Sequence, residues 1–81
     1  MEIVTGSIVR AKAGRDMGGY FVVLGTDGRY ALIADGKRRR VEAPKRKNLI
    51  HLCATNTVLE GMPATNPQVK KAIREFLLNG G

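Results

Sequence analysis

The chain is short and strongly basic. It has 81 residues and carries 14 Lys and Arg against 7 Asp and Glu, which gives a formal net charge of +7. This length provides one domain and not two, with too small a core for a deep enzyme pocket. Hydrophobic residues make up 43% of the chain, which excludes a disordered basic tail. What remains is a folded domain whose partner is a nucleic acid, an acidic protein or an anionic membrane.

The first part of the sequence has the pattern of a β-ribbon. Residues 3–13 are predicted to form a strand, because small or apolar residues alternate there with Arg10 and Lys12. Residues 14–19 contain three glycines and are predicted to form a turn. Residues 20–24 are a continuous run of β-forming residues, which is typical of a buried strand.

Two Asp-Gly pairs predict two tight turns in succession. The first pair lies within residues 26–29 and predicts a hairpin, with residues 30–34 as the returning strand. The second pair, Asp35-Gly36, predicts a turn before a further strand over residues 37–42. Strands joined in this way form an antiparallel meander.

The meander is predicted to end at a proline. Pro44 cannot donate a hydrogen bond to a central ladder, and residues 45–47 are predicted to be an exposed basic loop. Residues 48–54 are predicted to form one more short strand, and residues 55–65 a linker.

The C-terminal part of the chain changes to a helical period. Asn66 is predicted to be the N-cap and Pro67 the first helical residue. Apolar residues then recur at the i, i+3, i+4, i+7 and i+8 positions of an amphipathic helix. These residues are Val69, Ala72, Ile73, Phe76 and Leu77. We expect this helix to bury its apolar stripe on the rest of the chain or on a second copy of the protein.

These elements predict a mostly β fold. Five short strands joined by tight turns favour a small barrel over a sandwich, because closure removes the exposed edges of a sheet. The predicted organisation is a small five-stranded barrel over residues 1–54, a linker over residues 55–65 and a short C-terminal α-helix over residues 66–79.

Two stretches of residues 6–52 resemble the KOW motif within an SH3-like barrel. Residues 6–23 have the strand, glycine-centred loop and second strand of the motif, with Gly18 at the position of its hallmark glycine. Residues 30–52 include the run Ala-Asp-Gly-Lys-Arg-Arg-Arg-Val-Glu. Together they are similar to one KOW branch, the large-subunit ribosomal protein L-fourteen-e and its short bacterial and archaeal relatives. The resemblance implies an SH3-like barrel that binds RNA, and it does not extend to residues 55–81.

The densest basic cluster is the main candidate for an RNA-binding site. Seven cations fall within eleven residues, with Glu42 as the only acid among them, and such density repels itself unless an anion relieves it. The cations are Lys37, Arg38, Arg39, Arg40, Lys45, Arg46 and Lys47. We expect them to bind RNA phosphates with release of counterions, and a solvated charge run is the alternative. A strand period would place Arg38 and Arg40 on one face, and Lys37, Arg39 and Val41 on the core side.

A second basic group flanks the glycine-rich turn. Arg10, Lys12 and Arg15 lie in or beside the loop around Gly18, and KOW domains that resemble this chain contact RNA through this loop. Backbone N–H groups freed by Gly14, Gly18 and Gly19 could also cradle a phosphate. The alternative is an ordinary turn with flanking charges. Asp16, in the same loop, is expected to pair with Arg15 or Lys12.

The remaining polar and aromatic residues indicate no catalytic or metal site. His51 and Cys53 are two residues apart on a presumed strand; they are too few for a metal and lack the third group that orients a Cys–His nucleophile. We expect Cys53 to be packed. No carboxylate pair has the spacing of general acid–base catalysis. Tyr20 and Tyr30 are expected to edge the core, with stacking on an unpaired base as the alternative.

The sequence thus predicts a non-enzymatic RNA-binding protein, ribosomal or ribosome-associated, that captures structured ribosomal RNA through a basic face. Ribosomal proteins are expected as further partners, with no cofactor and no small-molecule substrate. A cytoplasmic location fits the single cysteine and apolar runs too short to span a membrane. The alternative is a KOW protein-interaction adaptor in transcription or ribosome assembly, with residues 67–78 as its binding element. An anionic membrane is the weakest hypothesis, because the helix has only three cations and no Trp.

Overall fold

The structure, a computed structural model that describes residues 2–80, consists of five antiparallel strands and one C-terminal helix. This confirms the predicted mostly β fold with a terminal helix. Met1, the first residue of the predicted barrel, and Gly81 lie outside the described residues. The elements are β1 (Ser7–Ala11), β2 (Tyr20–Asp27), β3 (Tyr30–Ala34), β4 (Lys45–Asn48), a 3-10 turn (Leu49–His51), β5 (Leu52–Val58) and α1 (Asn66–Leu78).

The five strands form one strongly curled sheet in the order β4-β3-β2-β1-β5. The two edge strands, β4 and β5, are joined only by the 3-10 turn, so Asn48 and Leu52 lie no more than about 14 Å apart. A flat sheet would separate its edges by about 19 Å, and the sheet must therefore curl. The predicted closure is not observed, because over residues 2–80 no ladder pairs β4 with β5.

Strands β1 and β2 are buried on both faces. The inner face of the curled sheet holds the larger apolar cluster, formed by Val9, Ala11, Phe21, Val23, Ala31, Ile33 and Leu52. The opposite face carries Ile8 and Val22, which lie beneath α1. The half-exposed ribbon predicted over residues 3–13 is therefore wrong in length and in burial, because the helix covers part of the face that the alternation assigned to solvent. Arg10, on that face, stays exposed.

α1 begins at a different cap from the predicted one. Thr65 is the N-cap, and its hydroxyl accepts a hydrogen bond from the N–H of Gln68 at 3.3 Å. Asn66 and Pro67 are the first two helical residues, where proline is tolerated because its missing N–H would have no helical partner. The prediction of Asn66 as the cap is wrong, and its side chain makes a different contact, described below.

α1 docks on the sheet of its own chain. Val69 is fully buried, Phe76 is 7% exposed, and both pack with Ile8 and Val22. The ring of Phe76 also lies 5.5 Å from the ring of Tyr20, centroid to centroid. Of the two predicted partners for the apolar stripe, the structure therefore uses the chain itself. No helix within residues 2–80 is long and apolar enough to cross a bilayer.

In the basic part of the chain, the structure has an irregular segment where a strand was predicted and a strand where a loop was predicted. Residues 37–42, predicted to be a strand, are irregular, whereas residues 45–47, predicted to be a loop, lie in β4. The reason lies in contacts between residues that are far apart in the sequence. β4 forms a ladder with β3, whereas residues 37–42 are held by side chains from other parts of the chain. Pro44 directly precedes this edge strand and does not end one, a place where its missing donor costs nothing.

The last strand begins and ends later than predicted. Residues 49–51 form the 3-10 turn, and residues 55–58 of the predicted linker belong to β5. His51 lies in the turn, so the prediction that His51 and Cys53 share a strand is wrong. Cys53, expected to be packed, is exposed. Among residues 2–80, no three His, Cys, Asp or Glu side chains are grouped closely enough to hold a metal ion.

We predict that Phe76→Ala lowers the free energy of unfolding by about 3 kcal/mol, because it removes a large buried ring between α1 and the sheet. Leu78→Ala, on the same helix at a residue that is 78% exposed, is the matched control and should change it by less than about 0.5 kcal/mol. Urea denaturation measures both changes in the free energy of unfolding, provided that its dependence on urea concentration keeps the same slope. Equal effects of the two substitutions would show that α1 is not docked as described.

Candidate nucleic-acid interface

Two connections of the sheet meet at one of its ends. The glycine loop (residues 12–19) joins β1 to β2, and the basic segment (residues 35–44) joins β3 to β4. Because β2 and β3 are antiparallel, with Val22 opposite Ala34, the start of β2 and the end of β3 are neighbours. The glycine loop and the basic segment therefore leave the sheet side by side, and the β2–β3 hairpin lies at the opposite end.

The buried carboxylate of Asp16 ties this end together. Its side chain is 3% exposed and accepts two hydrogen bonds from Arg39, Nε to Oδ1 at 3.2 Å and Nη2 to Oδ2 at 3.0 Å. The ammonium of Lys47 in β4 lies 3.8 Å from Oδ2 and donates to the carbonyl of Ala13 at 2.8 Å. One carboxylate thus joins the glycine loop, the basic segment and β4. The predicted pairing of Asp16 with Arg15 or Lys12 is wrong.

Asp16 is held in its ionised form. Burial raises the pKa of its carboxyl group, but the hydrogen bond and charge of Arg39, together with the charges of Lys47 and Arg38, outweigh burial and lower the pKa below its ordinary value of 3.8. Arg39 and Lys47 were both predicted to bind RNA. The structure places them against a carboxylate of the protein, with Lys47 only 8% exposed.

A second carboxylate shapes the start of the basic segment. Asp35 Oδ1 accepts the backbone N–H groups of Lys37 at 2.9 Å and Arg39 at 2.8 Å. The N–H groups of Asp35 and Gly36 in turn donate to the carbonyl of Arg39. These local bonds satisfy the backbone without a strand ladder, which explains why the residues after Asp35 turn away from the sheet.

Asn66, at the start of α1, holds the other end of the basic segment. Its Oδ1 accepts the N–H of Val41 at 2.8 Å, and its Nδ2 donates to the carboxylate of Glu42. Gly36 packs against the backbone of Asn66 so closely that a Cβ there would overlap its carbonyl oxygen. The helix therefore fixes the shape of the basic segment, a role that no local sequence signal assigns to Asn66.

The cations that remain exposed lie mostly at this end of the sheet. Within the basic segment, Arg38 and Arg40 are exposed while Arg39 and Val41 are partly buried, so the predicted alternation holds for these four residues without a strand. It is wrong for Lys37, which was predicted on the core side and is exposed. Arg40 bonds the carboxylate of Glu42 at 3.1 Å, but both side chains are largely exposed and such pairs are weak. The exposed cations at this end are Arg10, Lys12, Arg15, Lys37, Arg38, Arg40 and Lys45.

The hydrogen bond from Arg40, and then that from Asn66, lowers the pKa of the Glu42 carboxyl group. Glu42 is therefore an anion at neutral pH and offsets part of the charge of Arg40. This leaves Arg38 as the exposed arginine of the segment with no carboxylate hydrogen bond among residues 2–80.

Two of the three glycine N–H groups predicted to cradle a phosphate are already used within the glycine loop and β1. Gly18 has φ of +88°, a conformation that favours glycine, but its N–H donates to the carbonyl of Ala11, and the N–H of Gly19 donates to that of Asp16. These two N–H groups are not available to a phosphate, and the predicted backbone cradle is wrong for them. Arg15 and Lys12 are the exposed cations of the loop.

Arg46, the last predicted site residue, lies farther along β4. Its guanidinium is 3.7 Å above the centre of the Tyr30 ring and 3.7 Å from the carboxylate of Asp27. Tyr30 is therefore covered on one face, and Tyr20 packs against Phe76. Both tyrosines are half-buried, as expected for rings at the edge of a core.

Two further cations lie next to the basic segment. Lys70 and Arg74 of α1 border a hollow that also touches Lys37 and Tyr20. Their i, i+4 spacing on the polar side of the helix was visible in the sequence. Their position beside the basic segment could not be predicted from the sequence, because it depends on the long-range contact of Asn66 with that segment.

No protein-family profile matches this chain, and no curated protein sequence is significantly similar to it. The KOW resemblance of residues 6–52 therefore stays an expectation from the sequence.

We predict that Asp16→Asn lowers the free energy of unfolding at pH 7 by about 3 kcal/mol, since it leaves Arg39 and Lys47 without their buried counter-charge. Asp27→Asn is the matched control, because Asp27 pairs with Arg46 at a side chain that is 76% exposed, and should change stability little. Chemical denaturation of both variants measures the difference. A loss as small as that of the control would contradict the role given to Asp16.

The ion pair of Asp16 with Arg39 and Lys47 also predicts how the stability of the protein depends on pH. Because the pKa of folded Asp16 lies below its ordinary value, the ion pair stabilises the fold fully above that value and is lost as pH falls through the folded pKa. The stability difference between wild type and Asp16→Asn should be constant from pH 7 to about pH 5 and shrink below about pH 4. A difference that persists unchanged in acid would contradict this origin.

We predict that Gly36→Ala destabilises the protein more than Gly28→Ala does. Both glycines have positive φ, +78° and +60°, so each alanine carries a similar backbone cost of about 1–2 kcal/mol. At Gly36 the added Cβ meets the carbonyl of Asn66, whereas no atom of residues 2–80 lies within 4 Å of a Cβ added at Gly28. Thermal or urea unfolding of both variants isolates the packing of α1 on the basic segment. Equal losses would show that this close approach is unimportant.

Proposed function

We propose that this protein is a non-catalytic RNA-binding module of the KOW type, acting on or near the ribosome in the cytoplasm. Its RNA-binding surface is the end of the sheet formed by the glycine loop and the basic segment. The observation that carries the proposal is the ion pair of Asp16 with Arg39 and Lys47, which places the two predicted basic sites side by side and leaves Arg15, Arg38 and other cations exposed around it.

The surface is ordered before any ligand arrives. Asp16, Asp35 and Asn66 fix the backbone of the basic segment through the bonds described above. A preformed segment loses less conformational entropy on binding than a flexible tail does. The exposed cations also repel one another at this spacing, and a polyanion relieves that repulsion while releasing its own counterions. Phosphate is thus the ligand chemistry that this end of the sheet fits best.

The recognition is of backbone and shape and not of base sequence. Arg46 covers one face of Tyr30, and Tyr20 packs against Phe76, so both rings are already partly engaged within the protein and are poor platforms for stacking. Contacts to phosphates position a protein without reading bases. Folded RNA, whose phosphates have a fixed arrangement, is therefore the preferred target, and ribosomal RNA is the member of that class that the KOW resemblance indicates.

The fold supports the SH3-like interpretation. Five antiparallel strands curl into a small sheet, and the two edge strands are linked by a single 3-10 turn. Residues 6–52, which carry the KOW resemblance, supply β1 to β4, that turn and the first residue of β5.

We predict that the protein binds ribosomal RNA better than a random duplex of equal length, with affinity that falls steeply with salt. About four phosphate contacts would give a log–log slope near −3. The double variant Arg38→Ala, Arg40→Ala should lose about tenfold in affinity near 0.15 M salt and flatten the slope by about 1.5. The control Arg29→Ala, Lys71→Ala removes the same charge outside the proposed surface and should lose less. Absence of any preference for ribosomal RNA would reject the ribosomal role, and absence of binding would reject RNA altogether.

RNA binding by the Asp16→Asn variant tests whether affinity depends on the arrangement of the cations or only on the total charge. The substitution raises the net charge by one, so a purely electrostatic surface should bind RNA more tightly. If the Asp16 ion pair organises the surface, the variant should bind ribosomal RNA more weakly at a temperature where it is still folded. Tighter binding by the variant would contradict the proposed arrangement.

A further inference from the structure

An apolar hollow is left open where α1 meets the start of β2. Tyr20, Ile73, Leu77 and Leu78 line it, and its volume is about 510 Å³, within the usual range of binding sites. Leu77 is 49% exposed and Leu78 is 78% exposed. Tyr20 and Ile73 pack against the cluster that docks the helix, in which Val69 and Phe76 are buried, whereas Leu77 and Leu78 take no part in it.

The rim of this hollow, called the groove below, is basic. Lys37, Lys70 and Arg74 lie around it, and Asp35 is the one acid among the residues that line it. One oxygen of Asp35 already accepts two backbone N–H groups of the basic segment. The groove therefore combines an apolar floor with a net positive border, two properties that one ligand has to match.

We propose that this groove docks a segment of a partner protein in which large apolar side chains are flanked by Asp or Glu. The apolar side chains would cover Leu77 and Leu78, removing exposed apolar surface from water, while the carboxylates would face Lys70, Arg74 and Lys37. Apolar anchors in a groove with charges at its rim are a common mode of peptide recognition. The site is separate from the proposed RNA-binding surface except at Lys37 and does not depend on it.

Three other occupants fit the groove less well. RNA would find phosphate partners on the rim, but Ile73, Leu77 and Leu78 offer its bases no planar stacking partner, and the ring of Tyr20 already packs against Phe76. A second copy carries the same net charge of +7, and a symmetric contact would bring identical cations together. A membrane fits a continuous exposed helix face, whereas the main stripe of α1 is buried on the sheet and leaves a concave hollow.

The test starts from a random library of 12-residue peptides selected on the full chain, with removal of peptides that also bind the double variant Leu77→Gln, Leu78→Gln. Glutamine is a good helix former and both positions are exposed, so this variant should fold, which thermal unfolding checks. The expected result is a consensus that combines Leu, Ile or Phe with Asp or Glu. No enrichment, or a consensus without acidic residues, overturns the proposal.

A synthetic peptide with the selected sequence then locates the site. Titration into isotope-labelled protein should shift the backbone NMR signals around Ile73, Leu77 and Lys37. Lys70→Glu with Arg74→Glu should weaken binding about tenfold, whereas Lys71→Glu, on the same helix but outside the groove, should weaken it by less than about threefold. Equal effects of these variants, or shifts elsewhere on the protein, overturn the proposal.

The same protein samples test the other occupants. Concentration-dependent dimerisation that Leu77→Gln, Leu78→Gln abolishes would assign the groove to a second copy and overturn the proposal. Binding to vesicles of anionic phosphatidylserine that depends on the same leucines and exceeds peptide binding would overturn it in favour of a membrane. RNA-induced shifts centred on Ile73 and Leu77 would overturn it in favour of RNA. Loss of RNA binding on changing Arg38 and Arg40, with peptide binding intact, would show the two sites to be independent.

Discussion

The ion pair of Asp16 with Arg39 and Lys47 is the interaction on which the basic end of this protein depends. Fourteen cations in 81 residues repel one another, and bringing three cationic parts of the chain together would be unfavourable without a counter-charge among them. Asp16 supplies it from the loop of the first hairpin, where its buried carboxylate faces both Arg39 and Lys47. The side chain of Asp16 thus both holds this end of the fold together and determines which two of its cations are paired within the protein.

This arrangement divides the cations into two classes. Arg39 and Lys47 are structural, because a carboxylate and a backbone carbonyl of the protein already accept their hydrogen bonds. Arg15, Arg38 and Lys45 are exposed and available to a ligand. A run of consecutive basic residues in a sequence looks uniform, but its members differ in what they can bind. Burial and partners, and not charge alone, decide which of them contribute to affinity.

Features set by neighbouring residues could be predicted from the sequence, and features set by distant ones could not. The hairpin at Asp27-Gly28, the strand Tyr30–Ala34 and the amphipathic helix follow from local turn chemistry and periodicity. The exchange of strand and loop between residues 37–42 and 45–47 does not, because both stretches are basic and only the ladder to β3 separates them. Arg39 is 23 residues from Asp16, and Val41 is 25 residues from Asn66, beyond the reach of any local pattern.

The contact of Asn66 with Val41 and Glu42 has a consequence for how this chain can be divided. A helix that follows a small β unit is easily taken for an appendage that evolution can add or remove without effect on the rest. Here the first turn of that helix holds the segment that the β unit would use to bind a polyanion. A version of the chain without its helix would keep every arginine of the basic segment and lose the contacts that hold Val41 and Glu42 in place. The helix is therefore part of the same structural unit as the basic segment and not an independent module.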